Sequence, residues 1–226
     1  MRSPDILLSP AAEEYKVSTP VKLNVMELMI QKNNVDEYLA VSEIIDYDSE
    51  TIQKIAASLS DNVNSDVQLA QKVYEYVRDH ISHSFDIHSD VVTCKASDVL
   101  QAKEGICYAK SHLLAALLRW LKIPTGFCYQ KLVLDDSEPS YLTLHGLNAI
   151  YIESLQRWIR VDARGNKEGV NAEFNLDKEM LAFLVRTNLG EVDYPMIYAQ
   201  PNGKVVKALQ TSNSRKELVK NLPNDF

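Results

Sequence analysis

Residues 103–124, KEGICYAKSHLLAALLRWLKIP, constrain this chain more than any other segment. Leu113, Leu114, Leu117, Leu118 and Leu121 recur three and four apart, the interval at which helical side chains share a face, and the alanines between them favour the helix further. Gly105 stands at the entrance, and Pro124 cannot continue a helix and ends it. So broad an apolar stripe needs an apolar surface to cover it, and the sequence supplies one directly downstream. There the period changes to two, in β-rich runs at 126–134, 144–152 and 157–161 separated by turn residues, which predicts an antiparallel sheet.

Upstream, Ile52, Ile55, Ala56 and Leu59 have helical spacing, as do Val67, Ala70, Val73, Tyr74, Val77 and Ile81, with turn and capping residues at 60–65 between them. A short helix is expected over 97–103. Helices followed by a run of strands predict an α+β domain, with one strong helix packed on the sheet. Residues 1–60 read as an N-terminal extension packed on the core, 61–175 as the core, and 176–226 as a C-terminal extension of the same domain, helical over 176–185 and mixed over 205–222.

At 226 residues and 46% hydrophobic, the chain can bury a real core without disulfides or a structural metal. Its net charge of −7, with no Lys/Arg run, argues against a nucleic-acid partner. The longest apolar run, 113–118, is far short of the ~20 residues of a membrane helix. The opening MRSPDILLSPAAEE, broken by Pro4 and Pro10, does not read as a secretory signal, so the expected address is cytoplasmic. Three cysteines, Cys94, Cys107 and Cys128, are odd in number and lack CxxC spacing, which suits free thiols in a reducing compartment.

A nucleophilic thiol works as thiolate and needs a group that lowers its pKa. Cys107 sits in the first turn of the strongest helix, where unpaired N–H groups and the helix dipole favour negative charge and could also hold an oxyanion. The strands offer the rest. His145 starts one run and Asp162 closes another; a hairpin with a tight turn at Glu153 and Ser154 would set them directly opposite on one face, where a carboxylate fixes the imidazole tautomer. Asn148 is nearer in sequence but alternation turns it to the other face.

These residues resemble the transglutaminase-like superfamily. Gly105, Ile106, Cys107, Tyr108 and Ala109, continuing to Leu117, Leu118, Arg119 and then Ile123, Pro124, are similar to its nucleophile helix. His145 before a strand, and Trp158 four residues before Asp162, are similar to its second and third motifs. The resemblance covers roughly 60–170 and implies a papain-like core with Cys107 as nucleophile, His145 as general base and acid, and Asp162 as orienting carboxylate. It implies a protein or peptide amide substrate and no cofactor, with transfer to an amine or hydrolysis by water both open. Two flanks depart from the family's usual pattern: Gly146 and Leu147 follow the histidine, and Ala163 and Arg164 follow the aspartate. They motivate a rival reading in which the same fold binds a peptide without turning it over.

Cys94 and Cys128 read as inert core and His112 as a structural or surface residue. Tyr108, next to the thiol, and His83, some twenty residues upstream, are expected to line the substrate pocket. The segment with His80, His83, Asp86, His88 and Asp90 could in principle hold a divalent metal, but it fits neither HExxH nor finger spacing, and no metal site is assigned.

Overall fold

The computed structural model describes residues 26–134 and 141–226. The opening segment read for a secretory signal, residues 1–25 of the expected N-terminal extension, and residues 135–140 lie outside the described residues. In chain order the elements are β1 (Met29–Ile30), a 3-10 turn (Val35–Leu39), α1 (Glu50–Ser60), α2 (Asp66–His80), β2 (Ser82–His83), α3 (Ala96–Ala102), β3 (Glu104–Gly105), α4 (Cys107–Trp120), β4 (Thr125–Val133), β5 (Leu142–Ile152), β6 (Arg157–Val161), β7 (Val192–Asp193), β8 (Met196–Ile197), α5 (Gly203–Thr211) and α6 (Arg215–Asn221). The main sheet is antiparallel in the order β6-β5-β4-β7, and two short parallel pairs, β1–β8 and β2–β3, flank it.

The expected helices and central strands form, because their periodicity matches what they bury. Ser65 caps α2, accepting from the Gln68 N–H at 3.2 Å. Helix α4 differs from the expected stripe: every residue from Tyr108 to Arg119 is buried. It runs through the centre, with α1, α2 and α3 on one side and β4 and β5 on the other. Its polar side chains survive burial because they bond backbone carbonyls. Ser111 donates to the Cys107 carbonyl at 2.9 Å, His112 donates from Nδ1 to the Cys94 carbonyl at 2.8 Å, and Lys110 donates to the carbonyls of Arg78 and Ile81. The helix ends at Trp120, ahead of Pro124, and Lys122 turns left-handed at φ 65°.

Strand alternation sorts β5 into two faces. Leu144, Ile150 and Ile152 join the core around α4, whereas Leu147 and Ala149 pack with Cys128, Tyr38 and Ile197 in a second cluster on the other side. One expectation fails: residues 176–185 are not helical. Their backbone is committed elsewhere. The Asn175 side chain accepts from the N–H groups of Asp177 and Lys178, Glu173 donates to the Met180 carbonyl, and the Ala182 N–H goes to Asp162. The mixed segment 205–222 resolves into α5 and α6, capped by Asn202 and Ser214.

Candidate active site

Cys107 is the first residue of α4, so the N–H groups of Cys107, Tyr108 and Ala109 have no carbonyl of their own helix to bond. Two glycines let this helix start where it does. A Cβ on Gly105 would come within 2.9 Å of Ala109 Cβ and of Thr93 Oγ1, and one on Gly146 within 2.7 Å of the Tyr108 ring. The second contact presses the opening turn of α4 against β5 beside His145. Gly146 is therefore a packing requirement of this chain.

The register between β5 and β6 differs from the expected one. The pairs run from Ile152 with Arg157 to Asn148 with Val161, so Asp162 falls just past the ladder, two positions short of lying opposite His145. The cause is the connection, a longer turn over Glu153–Gln156 with Gln156 left-handed at φ 52°, held by Asp66 accepting from the N–H and hydroxyl of Ser154 at 2.8 and 2.7 Å. A two-residue shift is one full pleat period and keeps the face. Asp162 consequently reaches His145 diagonally, with Oδ2 2.7 Å from Nε2. Asn148 faces the helix instead, donating to the carbonyls of Ser111 at 3.2 Å and Gly126 at 3.1 Å.

Asp162 is fully buried and held from several sides. Its Oδ1 accepts from the Arg164 N–H at 3.0 Å and its Oδ2 from the Ala182 N–H at 3.2 Å, while Tyr74 of α2 donates to its carbonyl at 3.1 Å. Burial alone would raise its pKa, but the His145 charge and these donors outweigh burial and hold the carboxyl below its ordinary range. Burial likewise pulls His145 down, and the charges of Asp162 and Cys107, with a hydrogen bond to each, more than reverse it, so the imidazole is pushed up to about 10. With Nε2 committed to Asp162, Nδ1 is the ring nitrogen left for the sulfur. The structure thus brings Cys107, His145 and Asp162 together.

Cys107 and His145 open on a cleft of about 760 Å³. Tyr108 and His83 line it as well, although the Tyr108 hydroxyl is bound to the Leu144 carbonyl and its ring to Gly146. Sequence reasoning missed the opposite wall. Phe183 stacks edge-on against His145 at 5.2 Å, and Arg164 lies over Phe183 at 5.7 Å while forking onto Asp86 at 2.6 and 2.8 Å. Phe183 was hidden in the segment read as a helix. Arg164 had a faint signal, a cation directly after the motif aspartate, but nothing in the sequence shows Asp86 to be its partner.

The other candidates separate. Asp86 is occupied by Arg164 and Lys167, His88 faces Arg215, and no three His, Cys, Asp or Glu side chains converge as metal ligands among the described residues. Cys94 and Cys128 are buried, and burial pushes both thiols up to about 12. His112 is structural, and burial brings it down to about 4.

Residues 53–163, which carry all three groups, match the Transglutaminase-like superfamily. No curated protein matches the chain. Among solved structures it is similar to a candidate cysteine protease from Cytophaga hutchinsonii, with 20% identity and a TM-score of 0.47 over 59% of this chain and 43% of that one. It is similar to the periplasmic domain of TgpA from Pseudomonas aeruginosa at 17% identity and TM-score 0.41, over 56% of this chain and 46% of that one. The red sea bream transglutaminase gives 14% and 0.40, over 57% and 31%. The chain spans less than half the length of each.

Proposed function

Through residues 53–163 this chain belongs to the transglutaminase-like superfamily, and from that premise we propose that it is a thiol-dependent acyl-transfer enzyme acting on the amide carbonyl of a peptide or protein. The observation that carries this reading is the meeting of the His145 ring with a buried carboxylate on one side and the Cys107 thiol on the other.

In the proposed reaction His145 starts as the imidazolium and Cys107 attacks as the thiolate: the sulfur forms a bond to the substrate carbonyl carbon while the C=O electron pair moves to oxygen. Unpaired N–H groups at the start of α4 hold that oxygen. The intermediate collapses, the C–N bond breaks, and the His145 imidazolium protonates the departing amine. An incoming amine or water then gives a proton to His145 and takes the acyl group from sulfur. Asp162, anchored by the N–H groups of Arg164 and Ala182, keeps Nε2 protonated and stabilises the cation formed at each step. No step calls for a cofactor. The same free thiols suit a reducing, cytoplasmic setting.

The test is incubation with a mixed peptide digest, with and without a fluorescent primary amine. Incorporation of the amine marks transfer; new amino termini or deamidated side chains mark hydrolysis. Cys107→Ser is expected to lower either rate by more than ~10³ with an unchanged fold. Neither product from the unaltered chain, or equal turnover by the serine variant, would leave a peptide-binding module as the better reading.

A further inference from the structure

The proposed reaction leaves one requirement open, a side-chain donor on the far side of the oxyanion from α4, and His83 meets it. Its backbone pairs with Gly105 across β2 and β3, two residues before Cys107, and the Ser84 N–H donates to the Gly105 carbonyl at 3.3 Å. The imidazole is thereby tied to the segment that delivers the thiol, and it lines the same cleft as Cys107 and His145. Phe85 packs edge-on against the ring at 5.7 Å and 89°, fixing its plane.

The two ring nitrogens have different surroundings. Nδ1 is sealed from solvent and has no hydrogen-bond partner among the described residues. Nε2 is not so sealed, and the ring borders the cleft, so Nε2 is the nitrogen open to it. A neutral imidazole carries one N–H, and a buried donor with no acceptor is the rarer and costlier arrangement, which places the hydrogen on Nε2. Burial, and after it the charge of Arg164, pull the ring's pKa down to about 3, so it stays neutral and keeps that hydrogen at neutral pH.

Resting on the acyl-transfer reading, we propose that His83 is a catalytic residue whose Nε2–H donates to the oxyanion while the sulfur–carbon bond forms and the carbonyl electron pair moves to oxygen. It transfers no proton and releases the oxygen unchanged when the C=O bond re-forms. Among the described residues no group bonds the ring at Nδ1, which leaves its one N–H, at Nε2, for the substrate.

The experiment compares two reactions of the same sulfur in the full chain. Acetylation of Cys107 by p-nitrophenyl acetate passes through an oxyanion, whereas alkylation by iodoacetamide displaces iodide and forms none. His83→Phe fills the ring's place without a donor, and His83→Gln retains an N–H. We expect His83→Phe to slow acetylation by ~10²–10³-fold while alkylation stays within about threefold of the unaltered chain, and His83→Gln to recover at least tenfold of the loss. Acetylation by His83→Phe within threefold of the unaltered chain overturns the assignment. So does an equal fall in both reactions, which would mean a structural role or an effect on the thiol itself. Absence of any acetyl adduct on Cys107 in the unaltered chain, despite alkylation there, overturns the acyl-transfer reading and this assignment with it.

Discussion

At the scale of single residues, the chemistry of His145 is decided by which of two large opposed effects wins. Burial disfavours its cation, and the Asp162 carboxylate favours it more. Asp162→Asn keeps the shape and removes the charge, so burial should dominate and the ring should become neutral at lower pH. The alkaline limb of the pH–rate profile is expected to move down by at least about one unit, with the rate at its maximum reduced ~10³-fold. An unmoved limb would mean that Asp162 does not set the charge of the base. Linkage carries the same signs into stability. His145 is raised in the folded chain, so its contribution is complete below its unfolded value near 6.5 and is lost as pH rises through about 10. Asp162 is lowered, so its contribution is present above the ordinary carboxylate pKa and is lost as pH falls through its depressed folded value. Urea midpoints measured from pH 7 to 10 should therefore fall more in the parent than in Asp162→Asn. Cys107 and Asp162 were legible in sequence because each lies at an element boundary that periodicity marks, and His145 because it stands in an alternating run whose faces the pattern sorts. Arg164, Phe183 and Lys110 were not, because their significance lies in partners that the fold brings from elsewhere: Asp86, the His145 ring, and the carbonyls of Arg78 and Ile81.

Among the elements, the meeting of α4 with β5 is the junction on which the site depends, and it is made by the absence of a side chain. Gly146→Ala puts a methyl carbon about 2.7 Å from the Tyr108 ring, and Tyr108 is buried with its hydroxyl tied to Leu144. The ring cannot swing aside without giving up that bond, so the start of α4 must shift. We expect a loss of about 1–3 kcal/mol in urea unfolding, together with slower Cys107 alkylation as sulfur and imidazole separate. Unchanged stability and reactivity would show that the junction tolerates the methyl. Helices and central strands could be read from the sequence because amphipathic or alternating patterns report burial directly. The β5–β6 register could not, since the sequence favoured a two-residue turn and Asp66, 88 residues before Ser154, secures a longer one. Segment 176–185 misled for a related reason: its apolar residues are spaced like a helix but spend themselves on two separate surfaces, Leu181 in the second cluster and Phe183 against His145.

For the whole molecule, the question is what joins segments far apart in the chain behind the site. Arg119 does this with no counter-ion among the described residues. Buried completely near the end of α4, its guanidinium donates to the carbonyls of Ala40 at 2.7 Å, Ala199 at 2.6 Å, and Thr125 at 3.1 and 2.8 Å, so that one side chain ties the segment before α1, the start of β4 and the stretch after β8 to the central helix. Burial lowers its pKa to about 10, yet it stays charged at neutral pH because those carbonyl dipoles, with the Phe127 ring 5.4 Å away, take the place of water. Arg119→Met keeps much of the apolar stem and deletes every donor, leaving buried carbonyls unpaired. The expected loss is about 3 kcal/mol or more in urea unfolding, against about 1 kcal/mol for an exposed hydrogen bond. Its distribution is the sharper readout. Because three distant segments share the one anchor, amide hydrogen exchange should rise together around residues 38–40 and 196–200, while the interior of α2, to which the Arg119 guanidinium donates no hydrogen bond among the described residues, keeps its protection relative to global unfolding. Exchange rising at only one of those places would mean that the segments are held independently and that Arg119 fills space there rather than joining them.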